Sequence, residues 1–194
     1  MEIPAYSSAI GIVRLCWIIF AIVWLLAATS TKRTIYRESA VERARYWILL
    51  AIAYFLVVRS DIFPAPLDWL IVPHTKSIAW SGVCLCICGL VFAIWARVIL
   101  GRNWSGVVTL KEEHELIERG PYRIVRHPIY TGMLTMFAGT AIVIGYLGGF
   151  LGLLLAFASF WLKLKREEDL MLKQFPNKYA AYQLKVKRII PFLV

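Results

Sequence analysis

From Pro128 to Leu162 the chain runs for thirty-five residues without one charged side chain. As a single α-helix rising about 1.5 Å per residue, this run would be about 52 Å long, against a bilayer hydrocarbon core of about 30 Å. It therefore has to fold back on itself. Gly145, Gly148 and Gly149, in the string Gly-Tyr-Leu-Gly-Gly, supply the break, so the run predicts two spans joined by a tight turn. The rest of the chain does not offer a core large enough to bury such a segment. Sixty per cent of the 194 residues are apolar and only 18% are charged, where a soluble domain has about 45–50% apolar residues. A disordered chain is excluded, and lipid must solvate much of the apolar surface.

Three more apolar runs precede it. Ser8 to Thr29 is interrupted only by Arg14, and nothing before it resembles a signal-peptide n-region or cleavage site, so it reads as a retained span. Tyr46 to Val58 reaches crossing length when extended through Arg43 and Phe63, and Ser77 to Ala96 is uncharged. The count is five. With five spans, 18 of the 22 basic residues fall on one side, in Ser30–Arg45, Gly101–Arg126 and the tail from Lys163. The positive-inside bias then predicts an N-terminus outside and a C-terminus in the cytoplasm. The net charge of +10 thus sets topology and contacts anionic headgroups, with no call for nucleic acid. Cys16, Cys84, Cys86 and Cys88 lie inside apolar runs at spacings that match no zinc site, and no metal is expected. Trp17, Trp47, Trp69, Trp80, Trp104, Tyr146 and Trp161, near span ends, read mostly as interfacial belt residues.

The polar material collects in two places on the basic side. One is the loop Gly101 to His127, which closes Gly-Pro-Tyr-Arg-Ile-Val-Arg-His-Pro. His127 stands before Pro128, so it is biased away from helix while the proline suits a first helical position. That places His127, beside Arg126, at the positive end of a helix where anions are favoured. The other is the helix leaving the bilayer, Lys163-Leu-Lys-Arg-Glu-Glu-Asp169, with Lys163 and Glu167 four apart on one face. The hairpin makes these helices antiparallel neighbours, so the two elements together suit a zwitterion, its carboxylate at one and its ammonium at the other.

Arg126-His-Pro-Ile-Tyr-Thr-Gly132, followed by Glu167-Glu168, Phe175, Tyr179, Tyr182 and Arg188-Ile-Ile-Pro191, resembles the isoprenylcysteine carboxyl methyltransferase family, in a wider group with the phospholipid N-methyltransferases. The likeness runs from about Gly101 to the C-terminus. It implies S-adenosylmethionine as methyl donor, bound at the cytoplasmic face. By position, His114, Glu115, Leu116, Ile117, Tyr122, His127, Pro128, Ile129 and Tyr130 would line the cofactor. Glu167 would take the amino group of its methionine moiety, with Glu168 the next candidate. Lys163 would sit on the substrate side, where the family often has arginine, with Arg166 as its rival. The partners implied are the bilayer and a lipid or lipidated thiol-carboxylate acceptor.

The expected fold is thus an all-α integral membrane protein of about five transmembrane helices. Residues 1–100 carry spans 1–3, and residues 101–194 carry the cofactor loop, the hairpin of spans 4 and 5, and the tail. The expected activity is methyl-ester formation on a prenylcysteine-like carboxylate. Such an acceptor is ionised near pH 7 and needs no general base. The alternatives are a phospholipid amine methyltransferase, an NADPH-dependent membrane lipid reductase and a non-enzymatic scaffold. The Glu167-Glu168-Asp169 patch argues against a phosphate-rich cofactor, and no Gly-x-Gly-x-x-Gly follows a strand.

Overall fold

The computed structural model describes residues 4–29, 31, 34–107, 109–111 and 116–191. Among these residues six α-helices carry the fold: α1 (Pro4–Ala28), α2 (Ala40–Val58), α3 (Lys76–Leu100), α4 (Pro128–Ile144), α5 (Leu147–Gln174) and α6 (Pro176–Lys185). Two short strands, β1 (Thr34–Arg37) and β2 (Thr109–Lys111), pair antiparallel. Helices α1, α3 and α5 are each long and apolar enough to cross a membrane. The seventeen residues of α4 are apolar but shorter. Helix α2 has nineteen residues, with Glu42, Arg43 and Arg45 in its first two turns. It opens on a capping box in which Ser39 and Glu42 satisfy each other's backbone donors.

The uncharged run folds back as its length requires. The break is at Gly145, whose φ of +79° is left-handed, with its N–H bonded to Ala141 O at 2.8 Å. Gly148 and Gly149 lie already in the first turn of α5, where Gly148 N–H donates to Leu67 O at 2.9 Å. The α2–α3 connection clamps this turn. Ile71 and Val72 N–H both donate to Gly145 O, and His74 Nε2 sits 2.9 Å from Ile144 O.

Helices α3 and α4 pack against each other through paired glycines, Gly82 with Gly139 and Gly89 with Gly132. In a bilayer, where apolar helices gain little by leaving lipid, close backbone approach is what holds a pair. A Cβ on Gly132 would stand 2.7 Å from Gly89 O and 2.8 Å from Ala93 N. Backbone atoms cannot step aside, so Gly132→Ala must push the helices apart. It should lower stability by about 1–3 kcal/mol, the range for overpacking. Thermal unfolding in detergent would show this, and an unshifted midpoint would contradict the packing.

At the other end of the bundle, Arg97 holds two helix ends together. Its Nη2 donates to Ala27 O of α1 at 2.6 Å and its Nη1 to Gly101 O at 2.7 Å, and its guanidinium lies 4.6 Å from the centroid of the Trp104 ring. This gathers the ends of α1 and α3 beside the starts of α2 and α4. The basic segments 34–45, 101–107, 116–126 and the C-terminal helix therefore lie at one end. The strand pair there was not foreseen, since neither segment is long enough to carry an alternating pattern.

Candidate functional site

A cavity of about 280 Å³ opens at that end. Its apolar walls come from Phe20 and Trp24 of α1, Trp47 and Leu50 of α2, Met133 of α4 and Phe160 of α5. Its polar side is built by α4 and α5. Tyr130 OH donates to Glu167 Oε1 at 2.6 Å, Lys163 Nζ lies 3.8 Å from the same oxygen, and His127 Nδ1 lies 3.6 Å from Glu167 Oε2. Three groups from two helices thus aim one carboxylate into the cavity. The His127 and Tyr130 rings stack at 5.5 Å, and Tyr130 continues onto Phe160 at 4.9 Å.

Lys163 is buried and well used. Its Nζ donates to Gly106 O at 2.8 Å and lies 5.4–5.9 Å from the ring centroids of Tyr46, Trp47 and Tyr130. Aromatic faces at this range attract an ammonium through their quadrupoles. Tyr46 is in turn fixed by donating to Glu38, which is also buried.

Behind the cavity, Glu168 forms a separate centre with 2% of its surface exposed. Its carboxylate accepts from Arg126 Nε at 2.8 Å, Arg188 Nε at 3.0 Å and Gln183 Nε2 at 3.3 Å, with His127 Nε2 at 3.2 Å. The tail is thereby strapped across the start of α4, where Arg126 and His127 N–H donate to Lys187 O and Arg188 O.

Residues 77–178 match the family model described as phospholipid methyltransferase. The chain belongs to this family. Among its relatives, the probable protein-S-isoprenylcysteine O-methyltransferase of Oryza sativa is 28% identical over 152 residues, covering 75% of this chain and 80% of that protein. The protein-S-isoprenylcysteine O-methyltransferase of Tribolium castaneum is 32% identical over 127 residues, 62% of this chain and 45% of that one. The solved eukaryotic intramembrane Ras methyltransferase ICMT superposes with a TM-score of 0.55 at 25% identity, over 82% of this chain and 55% of that chain. The chain thus spans a little over half the length of the solved relative.

In this phospholipid methyltransferase family member, the residues singled out from sequence divide into groups. Leu116, Ile117, Tyr122, His127, Pro128, Ile129, Tyr130, Lys163 and Glu167 all line the cavity. His114 and Glu115 lie outside the described residues. Glu168 lies behind the wall, as above. Arg166 points away, pairing with Glu42 at 2.9 Å and Glu38 at 3.7 Å. The carboxylate-receiving half of the zwitterion arrangement is therefore altered, because Arg126 at the helix start is already paired with Glu168. Tyr46, Trp47 and Trp104 line the cavity as well. In the sequence Trp47 and Trp104 read as interfacial aromatics and Tyr46 only as the start of an apolar run.

Burial pulls the His127 imidazole towards neutrality, but the hydrogen bonds and charges of Glu167 and Glu168 outweigh it, and its pKa is raised. A raised folded pKa gives stability in full below the unfolded value of about 6.5, lost as pH rises through the folded value. The melting temperature of the ligand-free protein should therefore fall as pH climbs above about 6.5. In His127→Gln that dependence should flatten. Superimposable pH profiles for the two proteins would remove this ion pair from the account.

Proposed function

We propose that this protein transfers the methyl group of S-adenosylmethionine to the carboxylate of a lipidated, prenylcysteine-like acceptor at the membrane. The observation that carries the proposal is the Glu167 carboxylate, aimed into an apolar and aromatic cavity by Lys163, His127 and Tyr130. The naming of its relatives as isoprenylcysteine O-methyltransferases supports the same reading. When bound, S-adenosylmethionine supplies an electrophilic methyl group on a sulfonium sulfur. The donor set suits it: a carboxylate for the amino group, with the Tyr122 ring in the lining for a cationic ligand. Leu116, Ile117, Pro128 and Ile129 complete the lining, and His114 and Glu115 are assigned to the same cofactor from the sequence alone.

Lys163 receives the acceptor carboxylate, exchanging the carbonyl of Gly106 for it. No residue needs to remove a proton, since the acceptor is ionised near pH 7. The chain's contribution is alignment of the two reactants and exclusion of water. In this reading residues 101–194 are the catalytic part and the spans of residues 1–100 add its lipid-facing wall. The five helices α1 to α5 all cross the bilayer, with the N-terminus outside and the cavity and C-terminus in the cytoplasm. The distribution of basic residues supports that orientation.

The test is incubation of purified protein with radiolabelled methyl donor and a series of thioether carboxylates with lengthening apolar tails. Alkali-labile, volatile label should form, and it should rise with tail length. Alkali-stable label on amine headgroups would establish phospholipid methylation instead. Lys163→Ala should raise the acceptor's KM or lower kcat about tenfold or more, by loss of a charged hydrogen bond, while affinity for S-adenosylmethionine falls less, because Tyr130 and His127 still hold Glu167. Equal loss of affinity for both ligands would place Lys163 on the cofactor.

A further inference from the structure

Helix α1 packs on α3 and α4, while α2 packs on α5 and α4. A cleft of about 530 Å³ is left between α1 and α2, floored by α4. It lies at the end of the bundle away from the catalytic cavity, beside Val58, Val143 and Ile144, the outer ends of α2 and α4. Its walls are apolar and aromatic, with Trp17 and Tyr54 meeting edge to face at 5.4 Å across it. One charged side chain lines it, Arg14, the single charge in the twenty-five residues of α1.

Arg14 makes no ion pair or hydrogen bond among the described residues. A bare cation inside a span is costly, and such residues face a partner or a polar path rather than open lipid. Arg14 stands fourteen residues before Ala28, about 21 Å along the helix. In a core of about 30 Å it is closer to the leaflet opposite the catalytic cavity, and an arginine there reaches towards the headgroups. Among the described residues no carboxylate meets it. The planar guanidinium fork matches a phosphate, and the apolar cleft beneath matches an acyl chain.

We propose that this cleft is a binding site for an anionic phospholipid of the leaflet opposite the catalytic cavity, with its phosphate on Arg14 and an acyl chain between α1 and α2. The site is separate from the methyl-transfer chemistry and does not depend on the identity of the acceptor. Phe20 lines both the cleft and the catalytic cavity, and its ring stacks on Trp24 at 4.0 Å. An occupied cleft therefore braces one wall of the active cavity from behind.

Native mass spectrometry of the full chain from detergent, with phosphatidylglycerol and phosphatidylcholine of identical acyl chains, tests this. One phosphatidylglycerol should be retained at least tenfold in preference to phosphatidylcholine. The preference should vanish in Arg14→Gln and be reduced but still present in Arg14→Lys, which keeps the charge and loses the fork. As a measurement needing no variant, phosphatidylglycerol with a photoreactive group near its phosphate should crosslink to peptides containing Arg14 or Tyr54. Equal retention of the two lipids, an undiminished preference in Arg14→Gln, or crosslinks confined to other helices would overturn the proposal. So would stoichiometric displacement of the lipid by a farnesyl thioether acid, which would make the cleft part of the acceptor's path.

Discussion

Glu168→Ala should cost about 3–5 kcal/mol of folding stability, the usual penalty when one partner of a buried ion pair is removed. The carboxylate is 2% exposed and ties together three stretches of chain: the loop before α4 through Arg126, helix α6 through Gln183, and the tail through Arg188. Without it the Arg126 guanidinium, itself only 7% exposed as a side chain, is left with backbone carbonyls of Gln183 and Val186. The variant should unfold at markedly lower temperature with no ligand present. Glu168→Gln, which keeps the shape and one acceptor oxygen, should lose less. A melting temperature matching that of the native chain would show that the strap does not depend on this residue.

Glu167→Ala should behave in the opposite manner. Its side chain is 25% exposed towards the cavity and, among the described residues, binds no part of the tail. In the proposed reading this carboxylate meets the cofactor's ammonium, so its loss should weaken S-adenosylmethionine binding by about 1.5–3 kcal/mol. Folding should change far less than in Glu168→Ala. Calorimetric titration of detergent-solubilised protein reads the first, and thermal unfolding reads the second. If affinity stayed intact in Glu167→Ala and fell only in Glu168→Ala without loss of stability, the two neighbouring acids would have to exchange roles. Tyr130→Phe offers a graded intermediate, since it removes one of the three groups that aim Glu167 and leaves the aromatic stack on His127 and Phe160 in place.

The contrast between Glu167 and Glu168 also shows why the cavity is built on a hairpin. His127 touches both acids, one with each ring nitrogen. The imidazole therefore couples the tail strap to the Glu167 side of the cavity, and α4 and α5 must stay in register for both contacts to hold. That register is set at the far end of the bundle by the turn at Gly145 and the α2–α3 connection that grips it.

Amino-acid order alone determined the helical class, the fold-back of the 128–162 run, the start of α4 at Pro128 and the continuation of α5 into a charged exit helix. Each of these follows from local length, charge and turn chemistry, which need no knowledge of neighbours. The concentration of cavity residues in 116–130 and 163–167 was legible through the family resemblance. What the sequence could not settle was sidedness. Adjacent residues on a helix point about 100° apart, so Arg166, Glu167 and Glu168 face three directions, and only packing says which is inward. The tertiary structure turns Arg166 to Glu38 and Glu42, Glu167 into the cavity and Glu168 to the tail. In the same way, Trp47 and Trp104 read as interfacial belt residues and Tyr46 as the start of an apolar run, and they line the site because α2 packs on α5 and Arg97 draws the ends of α1 and α3 together. Contacts between residues this distant in the chain leave no periodic trace, which is why they were decided by the fold.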